Sequence, residues 1–489
     1  MSTTHTTQSH REDAGGAHRR AAAGPVVAML VVFLGGASVL WATGWMRGRA
    51  ACDQVEYHLP AIRRFAAELP RPNLHDYPSA TTPGYHLVLA AFARAVSSDG
   101  LPLQIAASLF TVALLVIFGK ALAMMAAGRE RNGWELTALA LPFAASPYVF
   151  TSGVWLLPDN AGWLLVLAAL WPLLAGWTTR RMLTWNAMVL VLLVLVRQSH
   201  LWAAAPMCAA AWLGLTPLRD ESLAGAIVRP FSRVSASIGA IVACVPAIAV
   251  VAAFAKEWHG LTPPSFQNQH EHGINWSTFP FILSLIGAFS LFFAGWLWPG
   301  ITKLWRESRP LVIVAAAAGL VLAVLPETTF LRQPRSSGLW NVVKVLDDAG
   351  LSIPWGGHPH TSPLILLLAP LGAVAMAGWI ALADDKRRWV IASAIGAFVL
   401  AQAANANCWQ RYHEPMLLML FALIAAGFAR PAADPELARH PRLAAMRVAG
   451  PFVLTACLML VTIAGLFGRD PLQPEPEHPS GSISNDPGR

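Results

Sequence analysis

Apolar runs of about twenty residues recur along this chain, and short polar breaks separate them. A run of that length suits an α-helix crossing the hydrocarbon core of a bilayer. The pattern predicts about thirteen spans, near 26–46, 102–126, 134–152, 160–178, 182–197, 200–217, 234–255, 279–299, 310–326, 362–383, 388–404, 412–430 and 447–468. Helices are the required element, because in lipid each run must satisfy its own backbone hydrogen bonds. The expectation is an all-α, polytopic transmembrane protein. The two runs around Arg197 can equally be one long kinked helix.

The polar intervals divide the chain further. Residues 1–24 read as a disordered cytoplasmic tail, 25–468 as the membrane domain, and 469–489, rich in proline and acid, as a disordered outer tail. No small-residue cleavage site follows the first apolar run, so that run reads as a retained helix. The interval 47–101 is the longest inside the membrane domain. Within it, Leu59, Ile62, Phe65, Ala66 and Leu69 fall on one face of an amphipathic helix over 57–69, suited to a membrane interface. A second helix is expected after Thr82-Pro83-Gly84, where proline favours a helix start.

Composition agrees with the pattern. The 489 residues are 55% hydrophobic and 13% charged, about half the charged fraction of a soluble protein. The net charge of +8 does not point to nucleic acid, because the cations sit in short loops between apolar runs. Alternate loops are basic: Arg129 and Arg131, Arg180 and Arg181, Lys303 and Arg306, then Lys386 to Arg388. A cytoplasmic N-terminus satisfies the positive-inside rule at every second loop. The other loops collect most of the His, Asn and Gln, together with charges near span ends. That asymmetry places the expected chemistry on the non-cytoplasmic side.

Several residues there are candidates, each with a plainer alternative. Asp53 and Glu56 are one helical turn apart, and a carboxylate just after the first span can act as a general base; both can equally be solvated charges paired with Arg49, Arg63 or Arg64. Asp159 at a helix start is a cap or a cavity residue. Arg197-Gln198 interrupts an apolar stretch, and an arginine at that depth suits a phosphate or a structural pair with Asp159. His270 and His272, in FQNQHEHGINW, lack the spacing of a zinc helix, so no metal is expected; sugar contact and a solvated loop both remain. His358 and His360 carry the same ambiguity. Arg332 and Arg335 can bind a lipid phosphate or anchor their loop to headgroups. Arg411, Tyr412 and His413 open a span with little room for solvation. The five cysteines form no CxxC motif, and a Cys52–Cys408 disulfide is left open.

The segment CDQVEYHLPAIRRF, with an acid ahead of a Tyr-His-Leu-Pro motif after the first span, resembles the opening of the GT-C glycosyltransferases. A narrower resemblance is to the dolichyl-phosphate-glucose α-1,2-glucosyltransferases. HLPAIRRF at 58–65, TTPG at 81–84, RQSHLW at 197–202 and RYHEP at 411–415 come in that family's order. The family has two adjacent acids where this chain has Asp53-Gln54, with one residue more before His58, so Glu56 stays as a rival base. The resemblance implies a GT-C-like fold, no cofactor, and transfer of a hexose on the non-cytoplasmic face of a bacterial plasma membrane. The donor would be a polyprenyl-phosphate sugar and the acceptor a lipid-linked or envelope glycan. Asp53 or Glu56 would be the base, with His58, Asp159, Arg197, Gln198, His270, His272, Arg332, Arg411 and His413 binding substrate. A transporter or flippase of a lipid-linked or anionic substrate is the rival from another class.

Overall fold

A computed structural model describes residues 5–46, 49–127, 129, 131–215, 229–270, 273–330, 338–384, 386–430 and 439–467, with side chains from residue 23 onward and not for 49, 229–232 or 269. His272, Arg332 and Arg335, and the tail 469–489, lie outside the described residues. The described chain is helical, apart from one short hairpin. Each of the thirteen expected segments falls on a helix or a broken helix pair. Among the described residues, six helices are long and apolar enough to cross a membrane by length and composition, or eight if each of two sharply bent pairs forms one span. The molecule is a multi-pass membrane protein.

In chain order the helices are α1 His5–Thr43, α2 Arg49–Asp53, α3 Leu59–Glu68, α4 Gly84–Ala95, α5 Gly100–Met125, α6 Gly133–Ala145, α7 Pro147–Val154, α8 Asp159–Leu174, α9 Thr179–Val196 and α10 Ala204–Leu213. They continue with α11 Arg229–Trp258, α12 Pro264–His270, α13 Thr278–Phe292, α14 Ala294–Glu307, α15 Arg309–Val324, α16 Leu339–Asp348, α17 Pro363–Leu382, α18 Arg387–Ala403, α19 Glu414–Phe428 and a last helix, Pro441–Phe467. Helix α1 starts within the segment expected as a tail, but its span-like part begins at Ala23.

Two expected spans are broken: 134–152 divides into α6 and α7 at Ser146, and 279–299 into α13 and α14, which bend by 111°. The pair α7–α8 bends by 113° between the expected spans 134–152 and 160–178. The stretch around Arg197 is also two helices rather than one. Arg197 is extended (φ −156°, ψ 97°), and a 3-10 turn, Gln198–Ala203, leads into α10.

Packing follows membrane rules. A Cβ on Gly372 would collide with the Leu283 carbonyl oxygen, and one on Gly287 with that of Leu368. Helices α13 and α17 therefore meet backbone to backbone, as small residues allow in lipid. Val31, Ile241, Val314 and Leu460 are exposed; apolar faces of this extent in water would mark an interaction surface, and on a multi-pass membrane protein they suit contact with lipid.

The 47–101 interval forms a small helical layer. The amphipathic face is as expected: Ile62 and Phe65 of α3 are buried and pack with Tyr77, Tyr85, Leu89 and Trp258. The Trp258 indole donates to the Leu74 carbonyl at 2.8 Å, tying this layer to α11. Pro83 occupies the cap position of α4, which opens where the Thr-Pro-Gly motif predicts.

The hairpin pairs Ile353–Trp355 with His358–Thr361, joined at Gly356-Gly357. Its two-residue loop needs positive φ at both positions, and the glycines supply +58° and +87°.

Candidate functional site

Six separated segments converge on one polar cavity of about 70 Å³. Asp53 comes from the end of α2, Tyr57 and His58 from the turn after it, Ser79 to Thr81 from the loop before α4, and Pro158-Asp159 from the α7–α8 bend. Arg197 enters from the break after α9, Phe266 and His270 from α12, and Trp409, Arg411 and Tyr412 from the turn before α19. The space suits a few waters or one small anionic group. It does not suit a whole sugar chain.

Local geometry aims Asp53 inward. Residues Gln54–His58 form a π-helical turn, a rare element that often marks a functional site. Gln54 is fully buried, and its side-chain oxygen accepts from the Gln104 amide at 3.0 Å and the Leu156 backbone N–H at 3.1 Å. That clamp fixes the turn against α5 and the α7–α8 bend.

The wider π turn also carries Glu56 away from the face of Asp53. Asp53 is buried in the cavity wall, whereas Glu56 is exposed. The expectation that both carboxylates share one side is corrected: an α-helical spacing was assumed where the backbone is π.

Two ion pairs dominate the cavity. An Arg411 terminal nitrogen donates to Asp53 Oδ2 at 2.5 Å, and Arg197 donates to Asp159. Tyr412 lies between the cations, its ring centroid 4.8 Å from the Arg197 guanidinium and 5.1 Å from that of Arg411. Trp409 packs on Arg411 at 4.5 Å. Buried guanidiniums need such compensation, because unpaired charge in a low dielectric is expensive. Arg411 Nε remains buried without a hydrogen-bond partner, a donor still available to an acceptor oxygen.

Asp159 is the first residue of α8 and makes no capping bond; Pro158 holds the cap position. The cap expectation therefore gives way to the ion pair. Arg197 satisfies both of its readings, since it pairs with Asp159 and also lines the cavity.

His58 Nδ1 lies 2.9 Å from His86 Nε2, with the rings stacked. Burial, reinforced by Arg411 and Arg197 and opposed by Asp159, pushes the His58 imidazole down to about 3. His86 is also held well below the ordinary histidine value, by burial and then by His58. Both rings are neutral at pH 7, so they act as hydrogen-bonding groups and not as cations.

The remaining expected residues divide. His270 faces the cavity and approaches the Asn407 amide at 3.4 Å. Gln198 is not in the wall. Its amide oxygen accepts from the Thr82 backbone N–H at 3.1 Å, and its nitrogen donates to the carbonyls of Ala80 at 3.0 Å and Leu261 at 2.9 Å. It holds the 80–82 loop over the cavity and is a positioning residue. His413 is also outside the wall, buried beside Cys408 (3.6 Å) and the rings of Phe281 and Phe398. Neither Cys52 nor Cys408 forms a disulfide.

Sequence reasoning missed Tyr57, Phe266, Trp409 and Glu414. The first and third flank residues that were singled out, and aromatic neighbours of a buried arginine are a usable signal. Glu414 is fully buried and accepts from Ser146 and from the Gln410 amide, each at 2.6 Å. It thereby anchors the turn that presents Arg411.

A wider groove of about 720 Å³ lies nearby, lined by Trp276, Leu322, Leu325, Glu327 and His360 among others. His360 thus faces that groove and His358 is exposed. Among the described residues, no group of three or more His, Cys, Asp or Glu is placed to hold a metal ion. No family model, curated protein or solved structure matches the chain.

Proposed function

We propose that the protein is a membrane hexosyltransferase of GT-C-like architecture with about thirteen spans. It would move a sugar from a polyprenyl-phosphate donor to a lipid-linked or envelope glycan on the non-cytoplasmic face of a bacterial plasma membrane. The observation that carries this reading is the convergence of four short motifs, far apart in sequence, on one cavity. His58, Thr81, Arg197 and Arg411 open or belong to HLPAIRRF, TTPG, RQSHLW and RYHEP, and all four line it. Glucose and an α-1,2 linkage are the narrower form suggested by the motif order.

In this reading Asp53 accepts the proton of an acceptor hydroxyl as its oxygen attacks the anomeric carbon. The bond from that carbon to the phosphate oxygen breaks, and the polyprenyl phosphate leaves with its charge stabilised by Arg411 and Arg197. Arg411 orients Asp53 through one terminal nitrogen, donates from the other to the Tyr412 hydroxyl at 3.3 Å and offers its unpartnered Nε to the phosphate. The cavity takes the reacting phosphate and anomeric region, and the wider groove beside Trp276 takes apolar or glycan parts.

The bent pairs α7–α8 and α13–α14 support a second reading, a transporter or flippase of a lipid-linked anion, because broken helices commonly line transport sites. One reconstitution separates the two. Proteoliposomes containing a panel of radiolabelled polyprenyl-phosphate sugars and a glycan-lipid extract should yield labelled product. Movement of intact donor between leaflets without any transfer would favour the transporter.

A further inference from the structure

A third space, of about 230 Å³, lies between α5, α8, α10, α18 and α19. It extends to the opposite ends of the helices that frame the polar cavity. Helix α8 opens at Asp159 in the cavity, and Leu170 and Leu174 near its end line this third space. Helix α19 starts just after Arg411 and Tyr412, and its Leu420, Ile424 and Phe428 line the same space. Helices of 16 and 15 residues rise about 22–24 Å, most of the hydrocarbon thickness. The third space begins at Met416, in the first turn of α19, and extends to the far end of both helices.

The walls are apolar except for Arg387, which opens α18 and is exposed. Arg129 lies close enough to Arg387 for the two cations to repel. Asp384 accepts the Arg387 backbone N–H at 3.0 Å, while its other oxygen stays 3.6 Å from the guanidinium Nε. That contact is a loose, exposed ion pair of the kind solvent screens. Wall atoms of such a crevice gain dispersion contacts when hydrocarbon enters. Its volume lies below the roughly 300–1,000 Å³ that encloses a whole small molecule, and suits a stretch of one chain.

We propose that this crevice holds an acyl chain of an anionic bilayer phospholipid, with the headgroup phosphate against Arg387. Charge complementarity selects that occupant. Basic residues gather at this end of the bundle, where anionic lipid is drawn to the surface, and a choline headgroup would bring its own cation towards Arg387. The proposal does not depend on the enzymatic reading.

Native mass spectrometry of the purified protein with equimolar dioleoyl phosphatidylglycerol and dioleoyl phosphatidylcholine tests it. The wild type should favour the first phosphatidylglycerol adduct by about fivefold or more. Arg387→Ala, at an exposed position, should bring the ratio near one, whereas Arg309→Ala, another exposed basic residue at a helix start, should leave it high. Val390→Trp, at the half-buried rim, should lower both adducts. Equal binding of the two lipids by wild type, selectivity surviving Arg387→Ala, or adducts unchanged by Val390→Trp would overturn the proposal.

Discussion

The polar cavity and the apolar crevice use arginine in opposite ways. In the cavity Arg197 and Arg411 are enclosed, each held by a carboxylate and packed on aromatic rings. At the crevice Arg387 is exposed and Arg129 is only partly buried. Exposed arginines at a membrane surface cost little and set orientation. An enclosed arginine demands a partner and a purpose, because its desolvation must be offset. On the proposed reading, the difference separates a site for chemistry from a surface for lipid.

The sharpest way to break this comparison is to remove one arginine from each. Arg197→Ala strands the buried Asp159 carboxylate and should cost about 3–5 kcal/mol of stability; Arg387→Ala should stay within about 0.5 kcal/mol. Thermal unfolding in detergent reads both, and equal losses would erase the distinction. Gln198→Ala comes next. It unties Thr82, Ala80 and Leu261, at about 1–3 kcal/mol for the groups left unpaired. If the 80–82 loop covers the cavity, the KM for donor should rise more than kcat falls.

Acidification should also act first at the polar end. His58 titrates near 3 in the folded protein and near 6.5 when unfolded, so the unfolded state binds the extra proton between those values. Stability is complete above pH 6.5 and declines as pH falls towards 3, by at most about 1.4 kcal/mol per pH unit per ring. His86 adds in the same direction. Melting temperatures measured from pH 7 to pH 5 should fall, and His58→Gln should flatten that slope. The smallest effect is expected from Glu56→Gln, an exposed position, which should leave both stability and turnover near wild type.

Much of this was legible in the sequence. The apolar runs located the helices, and the proline and glycine of TTPG located the start of α4. His270, Asp53 and the two cavity arginines stood out because each breaks a rule of apolar patterning near a span end. Other features were not legible for a physical reason. The π turn at Gln54–His58 depends on Gln54 being clamped by Gln104 and Leu156, partners remote in sequence. The role of Gln198 as a tie, and not a cavity wall, is likewise decided by three distant backbone groups. The bend at 293 interrupts a hydrophobic run that continues unbroken in composition, so periodicity alone cannot show it, whereas the bend at 155–158 falls between two expected spans, just ahead of Asp159-Asn160.

The central claim is that the Asp53 end of the bundle is where chemistry occurs. Transfer from a polyprenyl-phosphate sugar by wild type, Asp53→Asn and Arg387→Ala, assayed side by side in one lipid mixture, tests it most directly. The account predicts a loss of about 10²–10⁴-fold in kcat for Asp53→Asn, with Arg387→Ala close to wild type. Full turnover by folded Asp53→Asn would contradict it.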